Sequence, residues 1–208
     1  MWFSVLLAIV IAYLLGNLNG SICVSKLMRD DVRDHGSGNA GLTNFIRNYG
    51  SGKALAVILL DAGKATLACI IGRLLLSPYN LELEGTMIAG TAVMLGHDFP
   101  VFSNFKGGKG ILSGLFIALM ADWRIAVVIL GIFAAVYFAT QYVSLGSVLA
   151  AIAFGVGFAV LHRDSLCVML CGMFMAALTV FMHRGNIQRL LKGEERKTDL
   201  FAKGKKEE

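Results

Sequence analysis

Long runs of apolar residues constrain this chain more than any other feature of its sequence. Seven such runs follow one another along 208 residues, of which 56% are hydrophobic and only 16% are charged. A helix that crosses a bilayer needs about 20 apolar residues, and fewer where neighbouring protein shields its ends. Soluble domains carry about 25% charged residues, and disordered chains are poor in large apolar side chains, so both classes are excluded. The runs therefore predict an all-α integral membrane protein.

Five of the seven runs are long enough to cross the membrane as helices, and two are shorter. The long runs are Trp2–Val24, Ala54–Leu76, Ile125–Tyr142, Leu145–Leu161 and Leu166–Met182. The short runs, Gly85–Leu95 and Ile111–Ala121, flank a loop rich in glycine and lysine. Irregular backbone at membrane depth needs enclosing protein or water, so this arrangement leaves room for a cavity. We predict seven transmembrane helices, some of them short, in one domain over residues 1–191.

Basic residues lie almost entirely on one side of these predicted spans. That side holds fifteen Lys and Arg residues, the other side holds Arg73, Arg124 and Arg163, and Lys64 lies within a span. Because cytoplasmic loops carry the excess of Lys and Arg, we expect the N-terminus outside and the C-terminus in the cytoplasm. Residues 192–208 then form a charged cytoplasmic tail. This orientation explains the net charge of +5 without a nucleic-acid partner, which we do not expect.

The four cysteines show no metal-binding pattern. Cys23, Cys69, Cys167 and Cys171 lie within or at the ends of apolar runs, and no CxxC pair or His/Cys spacing typical of zinc occurs. Buried thiols usually behave as small hydrophobes, so we interpret all four as packing residues, with a disulfide as the alternative. We expect neither a metal nor a cofactor.

A glycine-rich segment follows the first run, from Gly36 to Asn44, with Arg47 shortly after it. Closely spaced glycines let backbone N–H groups converge into an anion-binding nest, and a following helix N-terminus adds its dipole. Arg47 can hold a phosphate through two parallel hydrogen bonds. An ordinary glycine-rich turn is the alternative. The candidate residues of this first motif are Gly36, Ser37, Gly38, Asn39, Gly41, Thr43, Asn44 and Arg47.

A second segment reads G-H-D-F-P from Gly96 and F-K-G-G-K-G from Phe105. Flexible backbone, two ammonium groups and an adjoining helix start again suit a phosphate. The order of residues is not that of a P-loop, and no acidic partner for magnesium is evident. A basic loop that merely obeys the orientation rule is the alternative. The candidates of this second motif are Lys106, Gly107, Gly108, Lys109 and Gly110.

A third polar segment, H-R-G-N-I-Q-R, begins at His183 where the last run ends. His183, Asn186 and Arg189 recur at helical spacing, so they face one pocket if the helix continues. His183 is suited to act as an acid, a base or a phosphate ligand. The alternative is a basic helix end at the membrane interface.

Two charged residues, Asp61 and Lys64, lie one helical turn apart within the second run. Charges inside a membrane are expensive and normally pair with each other or line a cavity. The sequence leaves both interpretations open: a functional site, or an internal ion pair that stabilises the bundle.

With these motifs the chain closely resembles the bacterial acyl-phosphate:glycerol-3-phosphate acyltransferases (the PlsY family) over almost its whole length. The resemblance rests on G-S-G-N-x-G-x-T-N-x-x-R at Gly36–Arg47, G-H-x-x-P with F-K-G-G-K-G at Gly96–Gly110, and H-R-x-N-I-x-R-L at His183–Leu190. It implies transfer of a fatty acyl group from acyl phosphate to the 1-hydroxyl of glycerol 3-phosphate, giving lysophosphatidic acid and phosphate. This is the first step of phospholipid synthesis.

The resemblance also implies where the reaction takes place and with which partners. It places the site at the cytoplasmic face of a seven-helix cell-membrane protein surrounded by membrane lipid. It implies no cofactor, and a functional coupling to the enzyme that makes acyl phosphate.

The same resemblance assigns roles to the candidate residues. Ser37, Lys109, His183 and Asn186 take catalytic roles, and the other candidates, including Arg189, bind substrate. We expect a substrate phosphate to take the hydroxyl proton, with His183 as the competing base. A transporter of small phosphorylated metabolites is the alternative function, because it too would need a cationic pocket in the membrane. Transport predicts polar groups reachable from both faces and an internal repeat, whereas the three motifs gather on one side.

Overall fold

The computed structural model describes residues 1–200, and within them it contains α-helices, short turns of 3₁₀-helix and no strand. The prediction of an all-α protein is confirmed. The helices are α1 Trp2–Gly16, α2 Gly20–Leu27, α3 Leu42–Tyr49, α4 Ser51–Leu76, α5 Glu82–Asp98, α6 Ile111–Ala121, α7 Trp123–Thr140, α8 Val143–Leu161, α9 Leu166–Met182 and α10 Arg184–Leu191.

The first predicted span, Trp2–Val24, is not one straight helix. It is divided into α1 and α2, which are bent by 40° with respect to each other. Asn19 caps α2, because its side-chain oxygen accepts a hydrogen bond from the first turn of that helix. The break frees backbone carbonyls of Gly16 and Leu18, and the Lys64 ammonium donates to both, at 3.2 and 2.9 Å. Polar partners therefore replace the missing helical hydrogen bonds.

Three helices, α4, α7 and α8, are long and apolar enough to cross a membrane. The bent pairs α1–α2 and α9–α10 raise this number to five if each pair forms one span. Helix α6 is apolar but only 11 residues long. The structure thus supports a multi-pass membrane protein with three to five apolar spans among residues 1–200, and the seven-span count and the orientation remain predictions.

The ends of some helices differ from the ends of the predicted runs. Helices α6 and α9 match their runs residue for residue. Helix α7 ends at Thr140, before the predicted Tyr142, because Gln141 adopts a left-handed conformation with φ of 63°. Helix α5 extends beyond Gly85–Leu95 at both ends and reaches 17 residues.

The core lies where α5 packs between α1, α4, α6 and α9, and where α8 packs on α9. Its largest fully buried side chains include Met87, Ile117, Phe158 and Met175. Many apolar side chains on the outer faces of the long helices are exposed, among them Leu55, Leu59, Val127, Val156 and Val160. Such a surface suits lipid rather than water. All four cysteines are free thiols.

Candidate active site

A cavity of about 300 Å³ is lined by the short helices α3 and α10, by α6–α9, and by a few residues of α4 and α5. The lining of one end is polar and comes from the three motifs together with α8 and the segment after α10. The other end is lined by apolar side chains, among them Leu115, Ile129, Phe133, Phe154 and Met175. On α8 alone the lining runs from Val143 to Phe154, which is about 16 Å along the helix axis. The cavity therefore joins a polar end to a long apolar end.

The three sequence motifs meet at the polar end of this cavity. The candidates that line it are Ser37, Asn39, Gly41, Thr43, Asn44, Arg47, Lys109, Gly110, His183, Asn186 and Arg189. The candidates that do not line it are Gly36, Gly38, Lys106, Gly107 and Gly108. The predicted convergence of the motifs is thus present, while the role of each residue remains a prediction.

The first motif owes its shape to the buried side chain of Asn44, which is 3% exposed. Its amide donates to the carbonyls of Val32 and His35, both at 3.0 Å, and its oxygen accepts from the Ser37 N–H at 3.0 Å. Asn48 donates to the same oxygen at 3.2 Å. These contacts engage the whole amide of Asn44, so this side chain holds the loop that presents Ser37 at the mouth of the cavity.

The first and second motifs touch each other directly through the carbonyl of Gly107. That carbonyl accepts hydrogen bonds from the Ala40 N–H and the Asn39 side chain, both at 3.4 Å. A second link runs from the Arg33 guanidinium to the carbonyl of Ser103, at 3.0 Å. Two loops that are far apart in sequence therefore form one continuous rim.

The third motif lies at a sharp bend rather than on a continuing helix. Helices α9 and α10 are bent by 56° at His183, so the condition that the helix continues is not met. His183, Asn186 and Arg189 nevertheless all line the cavity. The His183 Nδ1 lies 2.8 Å from the carbonyl of Thr179, and a carbonyl only accepts, so Nδ1 carries a proton. Nε2 is then the ring nitrogen that remains for a substrate.

A hydrogen-bonded chain links Lys109 of the second motif to Glu195, beyond α10. The Lys109 ammonium donates to the side-chain oxygen of Asn186, and the Asn186 amide donates to Glu195 at 2.6 Å. Ser144 and Arg189 donate to the same carboxylate at 2.8 and 2.7 Å. Burial alone raises the pKa of Glu195, but these three hydrogen bonds outweigh it and hold the pKa below its usual value. Glu195 is therefore a charged acceptor that orients Asn186 and Arg189.

The residues after Glu195 also fold over the first motif. The Arg47 guanidinium donates to the Thr198 hydroxyl at 2.9 Å and to the carbonyl of Arg196 at 3.1 Å. Thr198 is 4% exposed, and its carbonyl accepts from the Tyr137 hydroxyl at 3.2 Å. Glu195 and Leu200 of the predicted tail thus line the cavity, and Arg196 and Thr198 hold Arg47, while residues 201–208 lie outside the described part of the chain.

Several residues that line or support the site were missed by the sequence reasoning. Glu195 and Thr198 stand in a run of charged and polar residues that looks like any solvated tail. Ser144 is one hydroxyl in an apolar helix, which is more often a packing residue. Asp61 and His97 also line the cavity; the sequence singled out Asp61 only as a partner of Lys64, and His97 only as part of the second segment. No local sequence pattern distinguishes Glu195 and Thr198 from the rest of the tail.

The polar end carries more positive than negative charge. Arg47, Lys109 and Arg189 contribute three cations to the lining, against the carboxylates of Glu195 and of Asp61, and Asp61 is paired with Lys64. Burial, and next the nearby Arg189, lower the pKa of Lys109 to about 8. A desolvated cluster of cations with neutral donors around it binds phosphate groups well. The apolar end suits a hydrocarbon chain.

Comparisons with known proteins agree with this chemistry. A family model for glycerol-3-phosphate acyltransferases matches residues 6–193. A glycerol-3-phosphate acyltransferase of Thermoanaerobacter sp. (strain X514) is 39% identical over 196 residues, which cover 94% of this chain and 96% of the relative. Another, from Finegoldia magna, is 37% identical over 189 residues, which cover 90% of this chain and 93% of the relative. The similarity thus extends over nearly the whole chain.

Two crystal structures of PlsY (YgiH), an integral membrane glycerol 3-phosphate acyltransferase, are also similar. The glycerol 3-phosphate form has a TM-score of 0.84 at 30% identity and covers 94% of this chain and 96% of that chain. The lysophosphatidic acid form has a TM-score of 0.81 at 30% identity and covers 95% and 96%. The helical arrangement is therefore shared with a membrane enzyme.

Proposed function

Because the chain belongs to the glycerol-3-phosphate acyltransferase family, with a membrane fold of the PlsY type, we propose that acyl phosphate is its acyl donor. The enzyme then transfers a fatty acyl group to the 1-hydroxyl of glycerol 3-phosphate and yields lysophosphatidic acid and inorganic phosphate. The observation that carries this proposal is the two-ended cavity, with cations at one end and apolar side chains at the other, and its lining on α8 runs about 16 Å from Val143 to Phe154. Both substrates carry a phosphate, and the donor also carries a hydrocarbon chain.

An acyl phosphate is a mixed anhydride, so its phosphate leaves readily once the hydroxyl attacks. The hydroxyl oxygen forms the new ester bond to the carbonyl carbon, and the bond from that carbon to the phosphate oxygen breaks. The protein mainly has to hold two anions that repel each other and to align the hydroxyl with the carbonyl. Arg47, Lys109 and Arg189 supply the positive charge for this task, and Ser37 with the glycine-rich backbone contacts a phosphate.

The proton of the attacking hydroxyl goes to a phosphate oxygen of a substrate in this mechanism. His183 and Asn186 orient the substrate, because Asn186 is held by Lys109 and Glu195 and the His183 Nε2 remains to make a contact. No covalent serine intermediate is required, since within residues 1–200 the Ser37 hydroxyl makes no hydrogen bond to a histidine. Free phosphate then leaves from the polar end, and the acyl chain of the product occupies the apolar end.

We further propose that the protein lies in the cell membrane with its active site at the cytoplasmic face. The charge distribution supports this orientation, since the three motifs lie on the side with fifteen of the nineteen Lys and Arg residues. Residues 1–191 form the membrane domain, and the tail completes the site through Glu195 and Thr198. Glycerol 3-phosphate is water-soluble and reaches such a site from the cytoplasm, while acyl phosphate reaches it from the membrane.

A comparison of acyl donors tests the proposal. Purified protein in detergent is given labelled glycerol 3-phosphate with either palmitoyl phosphate or palmitoyl-CoA, and labelled lysophosphatidic acid is measured. We expect product from palmitoyl phosphate only, and we expect Lys109→Ala to abolish it. Lys192→Ala is the matched control, because Lys192 is an exposed lysine outside the cavity lining. Product from palmitoyl-CoA at the same rate would contradict the choice of donor.

A further inference from the structure

Three charged or titratable side chains lie buried beneath the second motif, and the proposed reaction gives them no task. Asp61, Lys64 and His97 are 2%, 5% and 4% exposed, and we call them the buried network. The Lys64 ammonium lies 2.8 Å from the Asp61 carboxylate and 2.7 Å from Nδ1 of His97. Buried charges are costly unless they are paired and hydrogen-bonded, so a cluster of three such side chains indicates a structural or functional role.

The buried network first fixes the bend between α1 and α2. The Asp61 carboxylate accepts a hydrogen bond from the N–H of Gly20 at 3.0 Å, at the start of α2. Lys64 donates to the carbonyls of Gly16 and Leu18, at the end of α1 and in the bend. An ion pair that only balanced two charges would not need these backbone contacts. The pair ties α4 to both helices of the broken segment.

The buried network also reaches the backbone of the second motif through His97. An ammonium only donates, so Nδ1 of His97 accepts from Lys64 and Nε2 carries the ring proton. The N–H of Gly108 donates to the His97 carbonyl at 3.0 Å. A β-carbon on Gly108 would lie 2.0 Å from Nε2, and one on Gly107 would lie 2.0 Å from the His97 carbonyl oxygen. The loop therefore rests on His97 so closely that only glycine fits at both positions.

The next residue along this loop is Lys109, whose ammonium holds Asn186 at the polar end of the cavity. A shift of the loop on His97 would move that ammonium by a similar amount. We propose that Asp61, Lys64 and His97 are positioning residues, which fix the loop of Gly107 and Gly108 so that Lys109 reaches the reacting groups. On this proposal the Asp61–Lys64 pair is both an internal ion pair of the bundle and a support for the site. The effect on activity rests on the proposed function, whereas the effect on the loop does not.

The test removes the buried charges together, so that no charge is left unpaired. In Asp61→Asn/Lys64→Met the full-length protein loses the ion pair and the donor to His97. The matched control is Asp122→Asn/Arg124→Met, which removes an ion pair of 2.6 Å at the N-terminus of α7. His97→Asn is a second variant that keeps the charged pair and removes only the ring beneath Gly108. It guards against a double variant that does not fold.

Hydrogen–deuterium exchange at the amides of residues 104–112 is the primary measurement. We expect both network variants to raise exchange there at least about tenfold, with α7 and α8 unchanged, and the control variant to leave this loop as in the wild type. In acyl transfer we expect about 10²-fold loss of kcat for the network variants, the size of effect that a misplacement of about 1 Å produces.

Two results would overturn the proposal. Unchanged exchange at residues 104–112 in both network variants would show that the loop does not depend on them. A uniform rise across all helices would show a structural role without a specific effect on the loop. If the wild-type protein makes no lysophosphatidic acid, the proposed function fails, and the exchange comparison still decides the positioning role.

Discussion

Replacing Glu195 by glutamine keeps the size of the side chain and removes its charge. The carboxylate accepts hydrogen bonds from Ser144, Asn186 and Arg189 at 2.8, 2.6 and 2.7 Å. A glutamine offers only one accepting oxygen, and its NH₂ group must face a donor on one side or the other. At least one hydrogen bond to a charged group is therefore lost, which costs about 1.5–3 kcal/mol of the free energy of unfolding.

The effect of Glu195→Gln on activity follows from the sign of the charge. Removing a negative charge from a cationic site does not weaken its attraction for an anion, so KM for glycerol 3-phosphate should not rise. The loss should appear in kcat, by about 10–10²-fold, because Asn186 and with it Lys109 are no longer held in place.

Thermal unfolding in detergent and steady-state kinetics check both parts of this prediction. Glu194→Gln is the matched control, because Glu194 is the neighbouring glutamate, is exposed and lies outside the cavity lining. We expect the control to unfold and react like the wild type. If Glu195→Gln has the same unfolding midpoint and the same kcat as this control, the carboxylate does not organise the polar end and the reasoning is refuted.

Three further predictions concern the charge of Lys109, the role of His183 and the support that Asn44 gives to the first motif. With a pKa of about 8, Lys109 is charged below pH 8 and loses its proton above it, so kcat/KM should fall as the pH rises through 8; Lys109→Arg should move that fall to higher pH, and a fall that stays in place belongs to another group. His183→Ala should retain part of its activity at saturating substrate, whereas a complete, pH-independent loss with substrate binding intact would identify His183 as the base. Asn44→Ala should lower the midpoint of thermal unfolding more than Asn48→Ala, because it leaves several backbone groups of the first motif without partners, at about 1–3 kcal/mol each; equal midpoints would show that the loop does not depend on this amide.

Much of the fold follows from local sequence alone. Helices α6 and α9 begin and end where their apolar runs do, because glycine or a polar residue stands at each boundary. The break between α1 and α2 was not predicted, although Asn17 and Asn19 interrupt the run. Lys64, which donates to the backbone carbonyls freed at this break, is more than 40 residues away along the chain. Helices that are apolar all round also give no sign of which face is buried, so packing could not be predicted.

The candidate site shows the same division between local and distant information. Glycine-rich motifs identify the loops that line the cavity, because backbone flexibility and side-chain donors lie within a few residues. Arg47 and Thr198, by contrast, are separated by 151 residues, and no periodicity connects them. The position of Glu195 depends on the 56° bend at His183 and on contacts with α8, which only the folded chain brings together.

Lysophosphatidic acid formation in sealed vesicles separates acyl transfer from transport in a single assay. Purified protein is reconstituted with palmitoyl phosphate in the bilayer, and labelled glycerol 3-phosphate is added outside. We expect label in membrane lysophosphatidic acid, release of inorganic phosphate in equal amount, and no accumulation of free glycerol 3-phosphate in the lumen. Label that accumulates inside the vesicles as unmodified glycerol 3-phosphate, with no lipid product, would contradict this expectation.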